Sequence, residues 1–321
     1  MPAAVDHRNH LLGLDGIDRS RLVSLLESAR SFDDGTGRAK RDGAHADLLR
    51  GLNICNLFFE DSTRTRVSFS LAATNLGAGV IDLTAPGSSV AKGETIIDTS
   101  TVVEATGGDA LVIRAGAPGS AQSVAGHVNV PVINAGDGAH EHPTQGLLDI
   151  YALASALGRA DSFDLSGLTV AIVGDIISSR VARSDIFGMT GLGARVVCVG
   201  PPTLAPPALR SLGCDVSSDL DAVLAEADAV QMLRLQFERH GGSERVPPGV
   251  GSLREYRELY ALTAERAERM KPGAVVMHPG PVNRGLELDG PVADGERSIV
   301  LKQVSAGVLV RMAVLAELLG R

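Results

Sequence analysis

The stretch "LNICNLFFEDSTRTRVSFSLAATNLG" (52–77) changes its pattern near its middle. Its opening, "LNICNLFF" (52–59), is an apolar run typical of a buried strand, and "RTRVSFSLAATNLG" (64–77) is typical of a helix. Between and overlapping them, hydroxyl and guanidinium groups crowd into positions 62–66. The stretch therefore predicts a strand, a short turn and a helix whose first residues carry many hydrogen-bond donors.

The same alternation of strand and helix patterns continues along the chain and predicts an α/β fold with two domains, each a parallel sheet flanked by helices. A long helix is predicted at 142–158, ahead of a second series of strands, and another at 305–320. Further strands are predicted at 79–83, 110–115 and 130–135 in the first series and at 168–175, 194–200, 228–233 and 274–280 in the second.

Composition limits the kinds of protein that fit. A chain of 321 residues, 44% of them hydrophobic, is long enough for two domains with separate cores. We expect a cytoplasmic protein without a membrane span, because neither a signal-peptide core nor an apolar run of about 18 residues is found. Cys55, Cys198 and Cys214 lack metal-ligand spacing, so no metal site is predicted. A net charge of −8 argues against a nucleic-acid partner.

Ser62 and Thr63 fall at the predicted start of the helix, where free backbone N–H groups and the helix dipole favour an anion. Arg64 and Arg66 add donors that suit phosphate. The simpler interpretation is that a hydroxyl caps the helix and the arginines are solvated. The density of donors favours an anion site, and the absence of a glycine-rich GK[ST] loop excludes a Walker motif.

A second strand-to-helix junction, "VAIVGDIISSRVARS" (170–184), invites comparison with a dinucleotide-binding turn. It lacks the second and third glycines of that motif, and Ser179 and Arg180 stand where a dinucleotide needs close backbone approach. Arg180 and Arg183 instead place cations at a strand's carboxyl end, where open α/β sheets bind their ligands.

Six segments together resemble the aspartate/ornithine carbamoyltransferase family, in order and spacing over nearly the whole chain. The segments are "STRTR" (62–66), "SSVAKGET" (88–95), "HPTQ" (142–145), "GDIISSRVARS" (174–184), "MLRLQFER" (232–239) and "HPGPVNRG" (278–285). The resemblance implies a carbamoyl phosphate-binding domain at 1–146, completed by the C-terminal helix 305–321, and an aspartate-binding domain at 147–304.

The resemblance also implies site residues, with the substrates in the cleft between the domains. Catalytic roles fall to Arg64, Thr65, Lys92, Arg114 and His142. Carbamoyl phosphate is expected to contact Ser62, Thr63, Arg64, Thr65, Arg114, His142 and Gln145, with Ser88 and Lys92 reaching in from a neighbouring subunit. Aspartate is expected to contact Lys92, Arg180, Arg234, Gln236, Gly280 and Pro281. Glu60 and Arg239 match residues that link the domains on closure.

The implied reaction is carbamoyl transfer from carbamoyl phosphate to the amine of L-aspartate, in pyrimidine biosynthesis. It requires no cofactor, metal or covalent nucleophile, because phosphate can leave and accept the amine's proton itself. The implied assembly is a homotrimer with shared active sites; association with regulatory chains or a dihydroorotase is left open.

Two alternatives remain open. Ornithine or another amine could be the acceptor, although the ornithine enzymes are expected to carry cysteines within the segments matching "HPTQ" and "HPGP", and this chain has none there. The chain could also be a non-catalytic scaffold. Two positions depart from the family pattern: Asp61 adds negative charge beside the anion motif, and Gly280 replaces the bulkier residue that some members carry there.

Overall fold

The computed structural model describes residues 9–40, 43, 45–84, 93–237, 246–247 and 249–320. The chain divides into two units, one formed by 1–147 with 305–321 and the other by 148–304. Each unit contains one sheet in which all the paired strands are parallel. This architecture confirms the predicted fold class.

Among the described residues, the sheet of the first unit is built from four strands, β1 (Asn53–Phe58), β2 (Gly79–Thr84), β3 (Ala110–Ala115) and β4 (Val132–Asp137). Their order across the sheet is β2-β1-β3-β4. The chain therefore leaves β1 towards one edge, returns beyond β1, and continues towards the other edge. Between β1 and β3 the direction of winding reverses, and such a reversal opens a crevice at the carboxyl ends of the two strands.

Helices flank this sheet because its central strands are apolar on both faces. Leu57, Leu111 and Ile113 are fully buried in its core. The helices of the first unit are α1 (Arg19–Ser31), α2 (Thr63–Asn75), α3 (Ile96–Ala105) and α4 (Ser120–Ala125). A fifth helix, α5 (Pro143–Ala156), begins in the first unit and ends in the second.

The sheet of the second unit contains β5 (Thr169–Val173), β6 (Arg195–Val199), β7 (Asp215–Ser217), β8 (Ala229–Met232) and β9 (Val275–Met277). Their order is β7-β6-β5-β8-β9, so the winding reverses between β5 and β8. The remaining helices are α6 (Arg180–Gly191), α7 (Leu220–Leu224), α8 (Leu253–Tyr260), α9 (Ala264–Glu268), α10 (Gly290–Ala293) and α11 (Val300–Leu318), and a 3₁₀-helix covers Pro207–Leu212.

The last helix, α11, begins five residues before the predicted 305, and its later turns belong to the first unit. There Arg311 is buried and its Nη1 donates to the Ser68 hydroxyl at 2.6 Å. The guanidinium also lies over the ring of Phe69, 5.0 Å from its centroid. At the far end of the helix Glu317 pairs with Arg21 of α1 at 2.7 Å. These contacts fix the end of the chain against α1 and α2.

Candidate functional site

The predicted anion-binding motif lies immediately after β1, at the start of α2. Ser62 is the N-cap residue in an extended conformation, and in the described part of the chain its hydroxyl makes no capping hydrogen bond to the helix. Thr65 is buried in the first turn, whereas Thr63 and Arg64 are exposed. The first N–H groups of a helix have no partner within the helix, so this end of α2 offers donors to a bound anion.

Arg114 lies near the carboxyl end of β3, next to β1, at the reversal point of the first sheet. Its Nη2 donates to Oε1 of Glu60 at 2.9 Å, and its Nη1 donates to the Ala135 carbonyl at 3.1 Å. The backbone N–H of Phe59 donates to the Arg114 carbonyl at 2.8 Å. The guanidinium is thus fixed beside the segment that carries the anion motif. Glu60, expected to link domains, pairs here with a residue of its own unit.

His142 and Gln145 are positioned by a buried polar turn between β4 and α5. His142 is buried, and its carbonyl accepts from the N–H of Gln145 at 2.9 Å, so His142 caps α5. Before it, the Glu141 carboxylate accepts from the N–H of Leu14 at 2.7 Å and from that of Asp15 at 3.2 Å. The turn is therefore held to the N-terminal segment of the chain.

Asp137 organises the same turn and was not singled out from the sequence. Its carboxylate accepts from the N–H groups of Gly119 at 2.6 Å and Glu141 at 3.2 Å, and from Nδ2 of Asn134 at 2.8 Å. Burial raises the pKa of Asp137, but hydrogen bonds from His140 and Asn134 outweigh burial and hold this pKa below its ordinary value. Asp137 is therefore a charged acceptor at neutral pH.

The second group of predicted residues lies at the carboxyl ends of β5 and β8, the reversal point of the second sheet. Arg180 is the first residue of α6 and is buried, and Ser179 caps the helix by accepting from the N–H of Ala182 at 3.1 Å. Arg234 follows β8 and is half-buried. Nε2 of Gln236 donates to the Ser178 carbonyl at 3.1 Å, which ties the segment after β8 to the turn before α6. Two guanidinium groups are thereby brought to one edge of the sheet.

Gly280 and Pro281 follow β9, the neighbour of β8, in a turn held by His278. The φ angle of Gly280 is 68°, a left-handed conformation that favours glycine. Nδ1 of the buried His278 accepts from the N–H of Gly280 at 2.8 Å. Because a backbone N–H can only donate, the ring proton lies on Nε2, which donates to Oε1 of Glu287 at 3.3 Å. Glu287 also accepts from the N–H of Asn283 at 2.6 Å.

Three predicted residues, Ser88, Lys92 and Arg239, lie outside the described residues. Within the described ranges no group of three or more His, Cys, Asp or Glu side chains could hold a metal ion. Nor does any helix of those ranges combine the length and apolar character needed to cross a membrane.

Both units match models of known domains. Residues 9–155 match the aspartate/ornithine carbamoyltransferase carbamoyl-P binding domain, and residues 166–318 match the Asp/Orn binding domain of the same proteins. The chain belongs to the aspartate/ornithine carbamoyltransferase family.

Individual relatives carry the comparison further. The aspartate carbamoyltransferase catalytic subunit of Myxococcus xanthus is 54% identical over 95% of this chain and 98% of its own length. Aspartate transcarbamoylase from Trypanosoma cruzi, solved in complex with carbamoyl phosphate and aspartate, has a TM-score of 0.82 at 28% identity, covering 96% of each chain. Ornithine carbamoyltransferase from Pyrococcus furiosus has a TM-score of 0.81 at 27% identity, covering 97% of each chain. The fold is therefore shared by enzymes for both acceptors.

Proposed function

We propose that this chain is an aspartate carbamoyltransferase, which transfers the carbamoyl group of carbamoyl phosphate to L-aspartate and releases N-carbamoyl-L-aspartate and phosphate. The observation that carries the proposal is the pair of donor groups at the reversal points of the two sheets. One is built around the start of α2 and Arg114, the other around Arg180 and Arg234. The substrates are an acyl phosphate and a dicarboxylate, and 54% identity to an aspartate enzyme supports that acceptor.

The first group suits carbamoyl phosphate. Ser62, Thr63, Arg64 and Thr65 supply hydroxyl, guanidinium and backbone donors to the phosphate oxygens at the end of α2. Arg114, His142 and Gln145 bind the carbamoyl end. In the homotrimer proposed below, Ser88 and Lys92 of a neighbouring chain complete the site.

The second group suits aspartate. Arg180 and Arg234 each present a planar fork to a carboxylate, and Gln236 supports the turn between them. Gly280 and Pro281 provide backbone carbonyls for the amine. A second ammonium group, as in ornithine, would be repelled by the two guanidinium groups.

Attack of the amine on the carbamoyl carbon places negative charge on the carbamoyl oxygen. Donors from Thr65, Arg114 and His142 stabilise this oxyanion, on the order of 3 kcal/mol for each well-aligned donor. Arg114 is pre-aligned for that role by Glu60 and the Ala135 carbonyl. The phosphate leaves and takes the amine's proton, so His142 acts as a donor and not as an obligate general base.

The test is turnover by the purified protein with carbamoyl phosphate and a panel of amines. We expect N-carbamoyl-L-aspartate and phosphate in equal amounts and no product from ornithine. Citrulline formed from ornithine would show that the acceptor is wrong. A folded protein that turns over none of the amines would instead support the scaffold interpretation.

We also propose a cytoplasmic homotrimer that acts in pyrimidine biosynthesis. Exposed apolar side chains of the first unit support assembly: Val67 and Leu71 lie one turn apart on α2, and Ile81 lies on the edge strand β2. Each of these side chains is between 43% and 49% exposed, and contact with another chain would remove its apolar surface from water. Regulatory chains or a dihydroorotase are candidate further partners, and native mass spectrometry of the purified assembly tests both.

A further inference from the structure

A buried polar cluster of the second unit lies apart from the residues proposed to touch substrate. At its centre is Asp149 on α5, whose Oδ1 accepts from Nε2 of Gln303 at 2.7 Å. Its Oδ2 accepts from Nε2 of Gln231 at 3.0 Å. The same Nε2 of Gln231 lies 3.3 Å from Oδ2 of Asp185 on α6. None of the four side chains is more than 2% exposed. Burying two carboxyl groups is costly unless only one of them is ionised and that carboxylate accepts hydrogen bonds.

The hydrogen bonds place the negative charge of the cluster on Asp149, because each of its two oxygens accepts from an amide NH₂ group. Burial raises the pKa of Asp185 well above its ordinary value, and the charge of Asp149 and a hydrogen bond to it raise it further. These effects favour the protonated form of Asp185, whose O–H can donate to Asp149. The Asp149 carboxylate then receives donors from Gln303, Gln231 and Asp185, which is a stable arrangement for one buried charge.

This charge fixes the direction of the Gln303 amide. A carboxylate only accepts, so the NH₂ end of Gln303 must face Asp149. The other end, Oε1, then faces the backbone N–H of His278 and accepts from it at 2.9 Å. Since the His278 ring in turn accepts from the N–H of Gly280, a continuous chain of hydrogen bonds joins Asp149 to the turn after β9.

We propose that Asp149 is a positioning residue for the amine acceptor: acting through Gln303, it fixes His278 and the Gly280–Pro281 turn. The proposal rests on the proposed function, in which carbonyls of this turn receive the aspartate amine. An amide at position 149 would present both a donor and an acceptor, so Gln303 or Gln231 would have to rotate. If Gln303 rotated, an NH₂ group would face the N–H of His278 and the turn would lose its support.

The test compares Asp149→Asn with Gln303→Met, which keeps the side-chain volume and removes the acceptor for His278. Each change should raise KM for aspartate about tenfold, the effect of losing one modest hydrogen bond. The dissociation constant of carbamoyl phosphate, measured calorimetrically without aspartate, should stay within about twofold. Because both changes break the same chain, the double variant should show about tenfold, not a hundredfold, rise in KM.

Asp185→Asn is the matched control, because an amide keeps a donor towards Asp149 and removes no charge. Its KM for aspartate should equal that of the wild type; a rise as large as in Asp149→Asn would overturn the placement of the charge. The positioning role is refuted if Asp149→Asn and Gln303→Met lower the melting temperature while KM for aspartate is unchanged. A wild-type protein that does not carbamoylate aspartate would refute the proposed function instead.

Discussion

Arg114 shows how a single residue's chemistry follows from its position in the chain. It ends an apolar strand, and a guanidinium group in such a place must be paired because its desolvation is costly. The structure supplies Glu60 and the Ala135 carbonyl as partners, and the side chain is held at the reversal point of the sheet. The hydrogen bonds that offset the desolvation of this guanidinium group also fix its orientation.

Substitution of two arginines should affect the binding of the two substrates separately. Arg234→Ala should raise KM for aspartate about 30- to 100-fold, since a charge-assisted contact contributes roughly 2–3 kcal/mol, while the dissociation constant of carbamoyl phosphate changes little. Arg64→Ala should weaken carbamoyl phosphate binding first. Steady-state kinetics and calorimetry distinguish the two patterns.

Arg269 of the second unit pairs with exposed Asp221 at 2.8 Å, so Arg269→Ala serves as a control with unchanged kinetics. Equal loss of both substrates in either test variant would contradict the division.

The elements that follow a strong periodic pattern were predictable from the sequence. The predicted strand 110–115 is β3 as observed. The edge strand β7 was not predicted, because three residues with one aliphatic side chain give no pattern. Helix α1 was also missed, although its buried Leu22, Leu25 and Leu26 follow helical spacing.

The site divides in the same way. Dense motifs such as 62–66 could be predicted from the sequence, because their functional groups are on neighbouring residues. Asp137, Glu141 and Asp149 were not, because each is a single acidic residue with at least one partner from a distant part of the chain. Only the folded chain brings Asp149 of α5 to Gln303 of α11.

The turn between β4 and α5 should depend on the charge of Asp137. Its pKa is lowered in the folded state, so its stabilisation is complete above the unfolded value near 4 and is lost as pH falls through the folded pKa. Asp137→Asn should lower the free energy of unfolding by about 1–3 kcal/mol at pH 7. In denaturation followed by circular dichroism, the difference from wild type should shrink below about pH 4. Exposed Asp294, paired with Arg284, is the control, and Asp294→Asn should change stability little. A difference that is constant with pH would show that the charge of Asp137 is not the cause.

The C-terminal part of α11 should depend on Arg311. Arg311→Met keeps an apolar stem over Phe69 and removes the hydrogen bonds to Ser68 and to the Gly307 carbonyl. We expect a loss of roughly 1–3 kcal/mol and faster hydrogen exchange in the last turns of the helix and in α2. Exchange within the sheet of the second unit should stay unchanged. Unaltered protection in both helices would show that apolar packing alone holds this end of the chain.

The whole chain is acidic, and yet both of its proposed substrates are anions. With a net charge of −8, long-range attraction cannot concentrate them, so binding must come from local groups. The residues at the two reversal points are such groups. Lys92, predicted to complete the neighbouring subunit's site, would add one more cation and make activity depend on assembly.

A mixing experiment tests this dependence directly. In the proposed homotrimer, the Arg64→Ala and Lys92→Ala variants should each be nearly inactive, because every site in either lacks one component. When the two are dissociated and reassembled together in equal amounts, random arrangement around a three-membered ring places an intact Arg64 opposite an intact Lys92 in roughly a quarter of the sites. Activity should therefore recover to about that fraction of the wild-type value. Mixing Arg64→Ala with Arg114→Ala is the control, because one and the same chain must supply both Arg64 and Arg114 to a site. Every site in the mixed assemblies then lacks one of the two arginines, and no recovery is expected. If the first mixture stays inactive although mass spectrometry shows exchanged subunits, Lys92 serves its own chain and the sites are not shared.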